Sequence, residues 1–350
     1  MMRIDRRNFL IGSTLPLLMS AASKPKIKIA QIGTGHAHAS GKMLAVRKYP
    51  EIFKVAGIAE PDPKRSKALN APAYLGLKTL TEAAILADES IQVVVVETEV
   101  KKLVPTALKC IKAGKHIHLD KPAGEYLESV KKLHQEADNR KLTVQMGYML
   151  RYNPSFEFLF QAVKDGWLGE ITEVIGMMGK KASDGLRKEL SQYKGGGMFE
   201  LACHLIDATV TILGKPLKVA AYNHRTDPDK DTFIDNQLAV LDYKKAVATI
   251  RCNHADPAGF KRRMFSVTGT QGTILIQPLE GGIVLLTLDR PQGKYKKGTQ
   301  EISLPRSPGR YDKEFIDLAA IIRGEKKLAW NSKHDIDVHE AVLKASGVIE

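Results

Sequence analysis

The sequence predicts an α/β protein with a doubly wound, parallel Rossmann sheet, followed by an α+β domain with an open, mostly antiparallel sheet. Strands and helices alternate from residue 26 to residue 148, which is typical of parallel sheets. A glycine-rich turn joins the first strand to the first helix. Beyond residue 149 several strands follow one another instead. We therefore divide the chain into residues 1–22, 26–148 and 149–350.

The composition is that of a globular protein. The 350 residues are 43% hydrophobic and 26% charged, which is enough to build substantial cores. Three cysteines lie far apart in the sequence, which argues against a disulfide scaffold or a cysteine-rich metal site. The net charge is +14, but the basic residues are scattered among 39 acidic ones. We therefore expect no nucleic-acid partner, and the positive charge favours anionic or polyhydroxylated ligands instead.

The first 22 residues predict an export signal. Arg6 and Arg7 precede a short apolar run over residues 9–19, and small residues lead to Ala22. This order is that of a cleavable signal, and the paired arginines resemble the twin-arginine type. The run is too short to span a membrane, so we expect cleavage near Ala22, a periplasmic or otherwise exported protein, and no stable membrane anchor. The alternative is an uncleaved helix with two chance arginines, on a cytoplasmic protein.

The first strand, residues 26–32, runs directly into a turn that can hold a dinucleotide. Glycines in such a turn let backbone N–H groups approach a pyrophosphate at the start of the next helix. A histidine stands where the third small residue of this turn is usual, which predicts looser packing between helix and strand. The cofactor-binding residues predicted here are Gly33, Thr34, Gly35, His36 and His38.

The second strand, residues 54–59, ends in Glu60. A carboxylate at this position can accept hydrogen bonds from the adenosine ribose hydroxyls, and it repels a 2′-phosphate. The sequence therefore predicts NAD as the cofactor, with NADP less favoured.

Three further strands, residues 91–96, 115–119 and 142–146, complete the first sheet. Glu97, Lys121 and Tyr148 follow these strands. Because the carboxyl ends of parallel strands meet at one edge of a sheet, we expect these residues to share a site with Gly33 and Glu60. The alternative for Lys121 is an ordinary surface lysine.

The second domain contains strands predicted at residues 171–178, 218–224, 237–243, 246–252, 264–269 and 272–276. Between the first two, glycines 195–197 open a helix over residues 198–213 that carries Glu200, His204 and Asp207. On a helix these three residues share one face, and burying them is costly without a purpose. We assign them to catalysis. A structural hydrogen-bond cluster and a zinc pair are the alternatives, but without a second histidine-rich segment we predict no metal site.

Four stretches resemble the Gfo/Idh/MocA family of oxidoreductases: IAQIGTGHAH, GKHIHLDKPAG, GYMLRYNP and GGGMFELACHLID, between about residues 26 and 213. The resemblance implies that Lys121 positions the substrate hydroxyl and the nicotinamide, and that His204 is the acid/base. It also implies that Glu200 and Asp207 are the accompanying acids. The chain departs from the family at Asp120, where glutamate is usual. It also lacks the usual Pro, Asn and His in the loop at residues 98–103.

The residues after the last strand of the first sheet are predicted to contact the substrate. These are Tyr148, Arg151, Tyr152 and Asn153. Arg151 is equally suited to a structural ion pair. Glu200 is suited either to orient His204 or to bind a neighbouring hydroxyl.

Together these features predict an exported, NAD-dependent oxidoreductase with a tightly held cofactor. It would transfer hydride between the nicotinamide and a secondary hydroxyl of a sugar, polyol or glycoside, with a histidine as base and a lysine ammonium stabilising the alkoxide. The alternatives are a redox-neutral, NAD-dependent glycoside hydrolase and a non-catalytic nucleotide sensor. The family resemblance further implies a homodimer or homotetramer.

Overall fold

The structure, a computed structural model, describes residues 24–350, so the predicted export signal lies outside it. The strands of the first sheet are β1 (Ile27–Ile32), β2 (Phe53–Ala59), β3 (Val93–Val96), β4 (His116–Leu119) and β5 (Val144–Met146). They pair in parallel in the order β2-β1-β3-β4-β5. The order reverses beside β1, and open sheets of this kind bind ligands at that reversal, beyond the carboxyl ends of the strands.

Helices cover this sheet because their apolar side chains recur at helical spacing. The helices are α1 (Ala39–Arg47), α2 (Glu82–Ala87), α3 (Val100–Lys112) and α4 (Leu127–Asn139). In α3, for example, Leu103, Ala107 and Ile111 are fully buried, as an amphipathic stripe requires. All four valines of β3 are buried, which is typical of a strand covered on both faces.

The second domain contains a mixed sheet of eight strands. They are β6 (Ile171–Gly179), β7 (Lys218–His224), β8 (Asn236–Asp242), β9 (Val247–Asn253), β10 (Met264–Gly269), β11 (Gly272–Ile276), β12 (Ile283–Leu288) and β13 (Gly298–Ser303). Their order is β13-β12-β11-β10-β6-β9-β8-β7. Only β6 and β9 pair in parallel within this sheet. The predicted fold class, a parallel Rossmann sheet plus a mostly antiparallel second sheet, is confirmed.

The helices that follow the first sheet are α5 (Pro154–Lys164), α6 (Asp184–Leu190), α7 (Cys203–Leu213), α8 (Asp312–Ile322) and α9 (Ser332–Ala345). The last two return to the first domain, where α8 packs on α1 and α9 packs on α4. The sequence pattern did not locate these two helices or the strands β12 and β13. Within residues 24–350 no helix combines the length and the apolar character needed to cross a membrane.

Candidate active site

The carboxyl ends of the five parallel strands bring the predicted site residues to one edge of the first sheet. Gly33, Glu60 and Glu97 directly follow β1, β2 and β3, and Lys121 and Tyr148 lie two residues beyond the ends of β4 and β5. The second domain contacts this edge. The Nζ atom of Lys121 donates a 2.7 Å hydrogen bond to the carbonyl oxygen of Glu200, which belongs to the second domain. The candidate site therefore lies between the two domains.

The turn after β1 packs against the loop after β3 with no side chain between them. Gly33 has a φ of +93°, and a Cβ atom added to it would lie 2.7 Å from the backbone nitrogen of Thr98. A Cβ atom on Gly35 would lie 2.7 Å from the nitrogen of Glu99. Both positions therefore require glycine, for close approach and, at Gly33, also for the left-handed backbone.

Glu60 is fixed against this turn. Its Oε2 atom accepts hydrogen bonds from the backbone nitrogen of Thr34 at 2.7 Å and from the Thr34 hydroxyl at 2.5 Å. Its Oε1 atom accepts a third from the nitrogen of Asp62, at 2.8 Å. Glu60 also lines a cavity of about 260 Å³, so a partly exposed carboxylate is held at the wall of that cavity.

A second cavity, of about 120 Å³, continues from the first. Gly35, Arg65 and Glu99 line both cavities, and the Nη2 atom of Arg65 donates to Oε1 of Glu99 at 3.1 Å. A dinucleotide that occupied both cavities would place its pyrophosphate at the glycine turn, as Rossmann domains do. The glycine turn and the carboxylate at the end of β2 therefore fit a nicotinamide dinucleotide.

A cluster of buried charged groups lies behind the glycine turn. The Oδ2 atom of Asp120 is 2.9 Å from Nδ1 of His36, 3.1 Å from Nδ1 of His38 and 2.9 Å from Nζ of Lys42. Oε1 of Glu97 is 3.3 Å from the same Nζ atom. Glu97 was predicted to bind the cofactor, but its side chain is fully buried against Lys42 and lines neither cavity. We call these five residues the Asp120 cluster.

The pKa values in the Asp120 cluster reflect burial and mutual attraction. Burial raises the pKa of Glu97 well above its usual range, and the charge of Asp120 adds to that rise. Burial also disfavours the charged form of Asp120, but His36 and Lys42 outweigh it and hold its pKa well below the usual value. Burial lowers the pKa of His38 to about 4, against the attraction of Asp120.

His204 lies at the start of α7 and is only 3% exposed. Its Nδ1 atom is buried without a hydrogen-bond partner, and its ring packs edge-on against Tyr148, with ring centres 5.9 Å apart. Burial lowers the pKa of His204 well below 6.5, and the positive charge of Lys121 lowers it further. The imidazole is therefore neutral at neutral pH and able to accept a proton.

Glu200 lies on a π-helical turn, Met198–Ala202, that precedes α7. This wider turn changes the spacing predicted for a regular helix. The Glu200 carboxylate lies 3.3 Å from Nζ of Lys180 and 3.5 Å from Nε2 of His254, and it lines the 120 Å³ cavity. Within the part of the chain that the structure describes, Glu200 makes no hydrogen bond with His204, so its position favours contact with a bound ligand over orienting the imidazole.

Asp207 lies in a buried ion-pair network rather than in the cleft. Arg151 donates to both carboxylate oxygens of Asp207, at 2.6 to 3.1 Å, and also to Asp335 at 2.6 Å. Both Arg151 and Asp207 are at most 2% exposed. We predicted a catalytic role for Asp207 and a substrate contact for Arg151. Each group already has a charged partner, so the structure assigns both a structural role instead.

Tyr152 and Asn153 line a different cavity, of about 240 Å³, together with residues 305–310. The Tyr152 hydroxyl accepts a hydrogen bond from Gln145 and donates one to Asp317. The Asn153 side chain caps α5 by accepting from the nitrogen of Ser155. Neither residue lines the two cavities of the dinucleotide groove, so their predicted substrate contact is not supported by position.

Sequence reasoning missed Lys42, Lys180 and His254. Lys42 could have been noticed in the sequence, because it lies on the same helical face as the apolar residues Ala39, Met43 and Val46 of α1, which are buried. A charge on the buried face of a helix indicates a buried partner. Lys180 follows β6 and His254 follows β9, and only the parallel pairing of those strands brings both side chains to Glu200.

Comparison with protein families agrees with this architecture. Residues 27–148 match the model described as "Oxidoreductase family, NAD-binding Rossmann fold". Residues 156–275 match the model described as "GFO/IDH/MocA C-terminal domain". The two matches together cover more than half of the chain and include the first sheet and the second sheet from β6 into β11.

Individual relatives share the fold at low sequence identity. Trans-1,2-dihydrobenzene-1,2-diol dehydrogenase of Bos taurus is 26% identical over 75% of this chain and 73% of its own. The NADP-dependent scyllo-inositol 2-dehydrogenase IolW of Bacillus subtilis is 23% identical over 76% of this chain and 73% of its own. An oxidoreductase from Agrobacterium radiobacter, solved with NAD⁺, L-tartaric acid and magnesium, superposes with a TM-score of 0.78. It is 18% identical, and the match covers 93% of this chain and 96% of that one.

Proposed function

Because the chain belongs to the Gfo/Idh/MocA family of NAD(P)-dependent oxidoreductases, we propose that it transfers hydride between NAD and a secondary hydroxyl of a sugar, polyol or glycoside. One observation carries the proposal. Lys121 is held by its bond to the Glu200 backbone, and burial, together with the charge of Lys121, lowers the pKa of the His204 imidazole. Lys121 and His204 line neither cavity and are almost fully buried, but Lys121 contacts the backbone of Glu200, which lines the 120 Å³ cavity. A base and a cation are thus held just behind the wall of that cavity.

These two residues divide the work of alcohol oxidation. The nicotinamide of a bound dinucleotide would supply the hydride acceptor. His204 accepts the hydroxyl proton, because its neutral imidazole has a free lone pair. Lys121 stabilises the negative charge that develops on the oxygen, since an ammonium in a dry site attracts an alkoxide strongly. In the reverse direction the same imidazolium returns the proton.

Two contacts support a preference for NAD over NADP. The Glu60 carboxylate is fixed at the wall of the larger cavity by Thr34 and Asp62, where it would accept bonds from ribose hydroxyls and repel a 2′-phosphate. Arg65, one of the cations at this cavity that could neutralise such a phosphate, is already paired with Glu99. Relatives of this chain include NAD-bound and NADP-dependent enzymes, so the preference depends on these side chains.

We further propose export through the twin-arginine signal and slow release of the cofactor. Arg6 and Arg7 before a short apolar run support export. Free NAD is expected to be scarce outside the cytoplasm, so an exported enzyme needs a retained cofactor and a closed redox cycle. Oxidation of one substrate would then be followed by reduction of a second, or of the same sugar after bond cleavage.

Native mass spectrometry of the purified protein tests the cofactor directly. We expect one NAD per chain that survives dialysis for hours. Protein that arrives without a dinucleotide, and that binds neither NAD nor NADP on titration, would contradict the proposal. Loss of NAD within minutes would contradict the retained-cofactor part only.

A panel of sugars, polyols and glycosides then tests the reaction. Net formation of NADH, or its re-oxidation by a second carbonyl substrate, is the expected result. Bond cleavage without net NADH would instead identify the redox-neutral hydrolase. A His204→Gln variant should lose turnover in either case, whereas His224→Gln, at an exposed position on β7, is the matched control.

A further inference from the structure

Two histidines and one carboxylate of the Asp120 cluster converge on a single point beside the cleft. One ligand atom from each of His36, His38 and Asp120 lies within 4.8 Å of the other two. The two imidazole Nδ1 atoms are 2.9 and 3.1 Å from the same carboxylate oxygen, Oδ2. Ligand atoms about 2.0–2.2 Å from a shared tetrahedral ion would be roughly 3.3 Å apart, so small displacements suffice to admit one.

The proton on His36 is fixed by its surroundings. Its Nε2 atom lies 3.0 Å from the carbonyl oxygen of Lys121. A carbonyl oxygen only accepts, so Nε2 carries a hydrogen, and Nδ1 is the ring atom whose lone pair is available to a metal. That lone pair lies 2.9 Å from the carboxylate of Asp120. A metal ion between these two atoms would be bound by both.

Other polar groups around this point lack hydrogen-bond partners. Both carboxylate oxygens of Glu97 are buried without a hydrogen bond, and Oε2 lies 4.0 Å from Nδ1 of His36. Lys42 contacts Asp120 and Glu97, but its ammonium does not achieve hydrogen-bond geometry with either one. A cation at this point would be attracted by the Asp120 carboxylate and the nearby Glu97 oxygens and repelled by Lys42.

Contrary to the prediction of no metal site made from the sequence, we propose that His36, His38 and Asp120 bind a divalent transition-metal ion that keeps an open coordination position toward the cleft. Two imidazoles and a carboxylate are typical ligands for zinc or ferrous iron, whereas magnesium prefers oxygen. The bond from His36 to the Lys121 carbonyl is the outer hydrogen bond that metal-bound histidines usually make. The metal would replace one weak contact, the 3.3 Å bond from the His38 amide to His36.

The open position gives this ion a ligand class. His36 and His38 line the 120 Å³ cavity together with Lys180 and Glu200, so a molecule in that cavity would reach the ion. Hydroxyl and carboxylate oxygens are the groups that suit it. The site does not depend on hydride transfer, because none of its three ligands is the proposed base or the proposed alkoxide-stabilising lysine.

Calorimetric titration of the chelator-treated full chain with Zn²⁺ tests the site. We expect one Zn²⁺ per chain in the wild type and at least about tenfold weaker binding in His36→Gln and in His38→Gln. His224→Gln removes an exposed histidine and should leave the affinity unchanged. Mg²⁺ should not compete. Equal Zn²⁺ affinity in wild type, His36→Gln and His38→Gln would overturn the proposal, and so would absence of binding in the wild type.

A measurement on the wild type alone guards against variants that fail to fold. Loading with Co²⁺ should give the intense visible absorption of a four-coordinate nitrogen and oxygen site. A spectrum identical to that of aqueous Co²⁺ would show that the Asp120 cluster holds a proton instead of a metal. NAD binding and alcohol oxidation by the metal-free protein are measured separately, so failure of this inference remains distinct from failure of the proposed function.

Discussion

Two groups of buried polar side chains lie close to the ring of Tyr148. The first has charged partners within the chain, whereas the second has polar atoms without hydrogen-bond partners. Behind that ring, the guanidinium of Arg151 stacks at 4.9 Å and its hydrogens are taken by Asp207 and Asp335. His204 packs edge-on against the same ring, and its Nδ1 atom has no hydrogen-bond partner. In the Asp120 cluster, both carboxyl oxygens of Glu97 also lack hydrogen-bond partners. In the Arg151 network, one oxygen of Asp335 lacks a partner.

The difference distinguishes a structural network from a site. A buried charge without a partner costs free energy, so a protein retains it where a ligand or a reacting atom completes it. In the Arg151 network the charged partners of the guanidinium are Asp207 and Asp335, and these ion pairs join α7 to α9. Substitutions at His204 should therefore reduce activity, whereas substitutions in the Arg151 network should reduce stability.

The largest effect is expected on the reactive side. His204→Ala should lower kcat by roughly 10²–10⁴-fold, because the variant lacks the imidazole that accepts the hydroxyl proton, while NAD affinity stays nearly unchanged. Steady-state kinetics and dinucleotide titration measure the two quantities. The thermal unfolding midpoint should stay close to that of the wild type, and turnover near the wild-type rate would show that the base lies elsewhere.

On the structural side, Asp207→Ala should destabilise the protein by about 3–5 kcal/mol, because it leaves the buried Arg151 charge without its bidentate partner. Urea unfolding measures this loss. Asp229→Ala, at an exposed position without side-chain contacts in the structure, should change stability by less than about 0.5 kcal/mol. If purified Asp207→Ala were stable but inactive, the comparison would fail and Asp207 would belong to the site.

Glu314 tests the pH dependence of the buried charges. Burial raises the pKa of its carboxyl from 4.5 to about 8, with a further rise from Asp120 and an opposing effect of Lys42. Between these values the folded state keeps a proton that the unfolded state has lost, so the free energy of unfolding should fall as pH rises from about 4.5 to 8. Glu314→Gln should remove on the order of 2 kcal/mol of that fall. Glu301→Gln, exposed on β13, should keep it.

The smallest effect concerns cofactor choice. The wild type should bind NAD at least about tenfold, or 1.4 kcal/mol, more tightly than NADP, and Glu60→Gln should reduce that ratio toward unity. Titration calorimetry with both dinucleotides gives the ratio, and Glu89→Gln, exposed beyond α2, serves as the control. An unchanged ratio in Glu60→Gln would place the discrimination on other residues.

Local pattern was sufficient to predict the strands that carry the groove. A few residues are enough to identify the apolar run of β3, the glycine turn after β1 and the acid after β2. Hydrophobic periodicity and turn chemistry are local properties of the sequence. The ends of parallel strands must meet, so Gly33, Glu60 and Lys121 could be placed together before any coordinates. The helices α8 and α9 could not, since their packing on the first domain depends on contacts far along the chain.

The sequence by itself determined the fold class and the residue types available at the edge of the first sheet. Tertiary structure decided which of them meet. The π-helical turn directs Glu200 toward Lys180 and His254, and the chain folds so that Asp207 reaches Arg151 instead of the cleft. Long-range packing also places Lys42 between Glu97 and Asp120. Helical periodicity fixes which face a side chain lies on, whereas only the packed chain determines which charge stands opposite it.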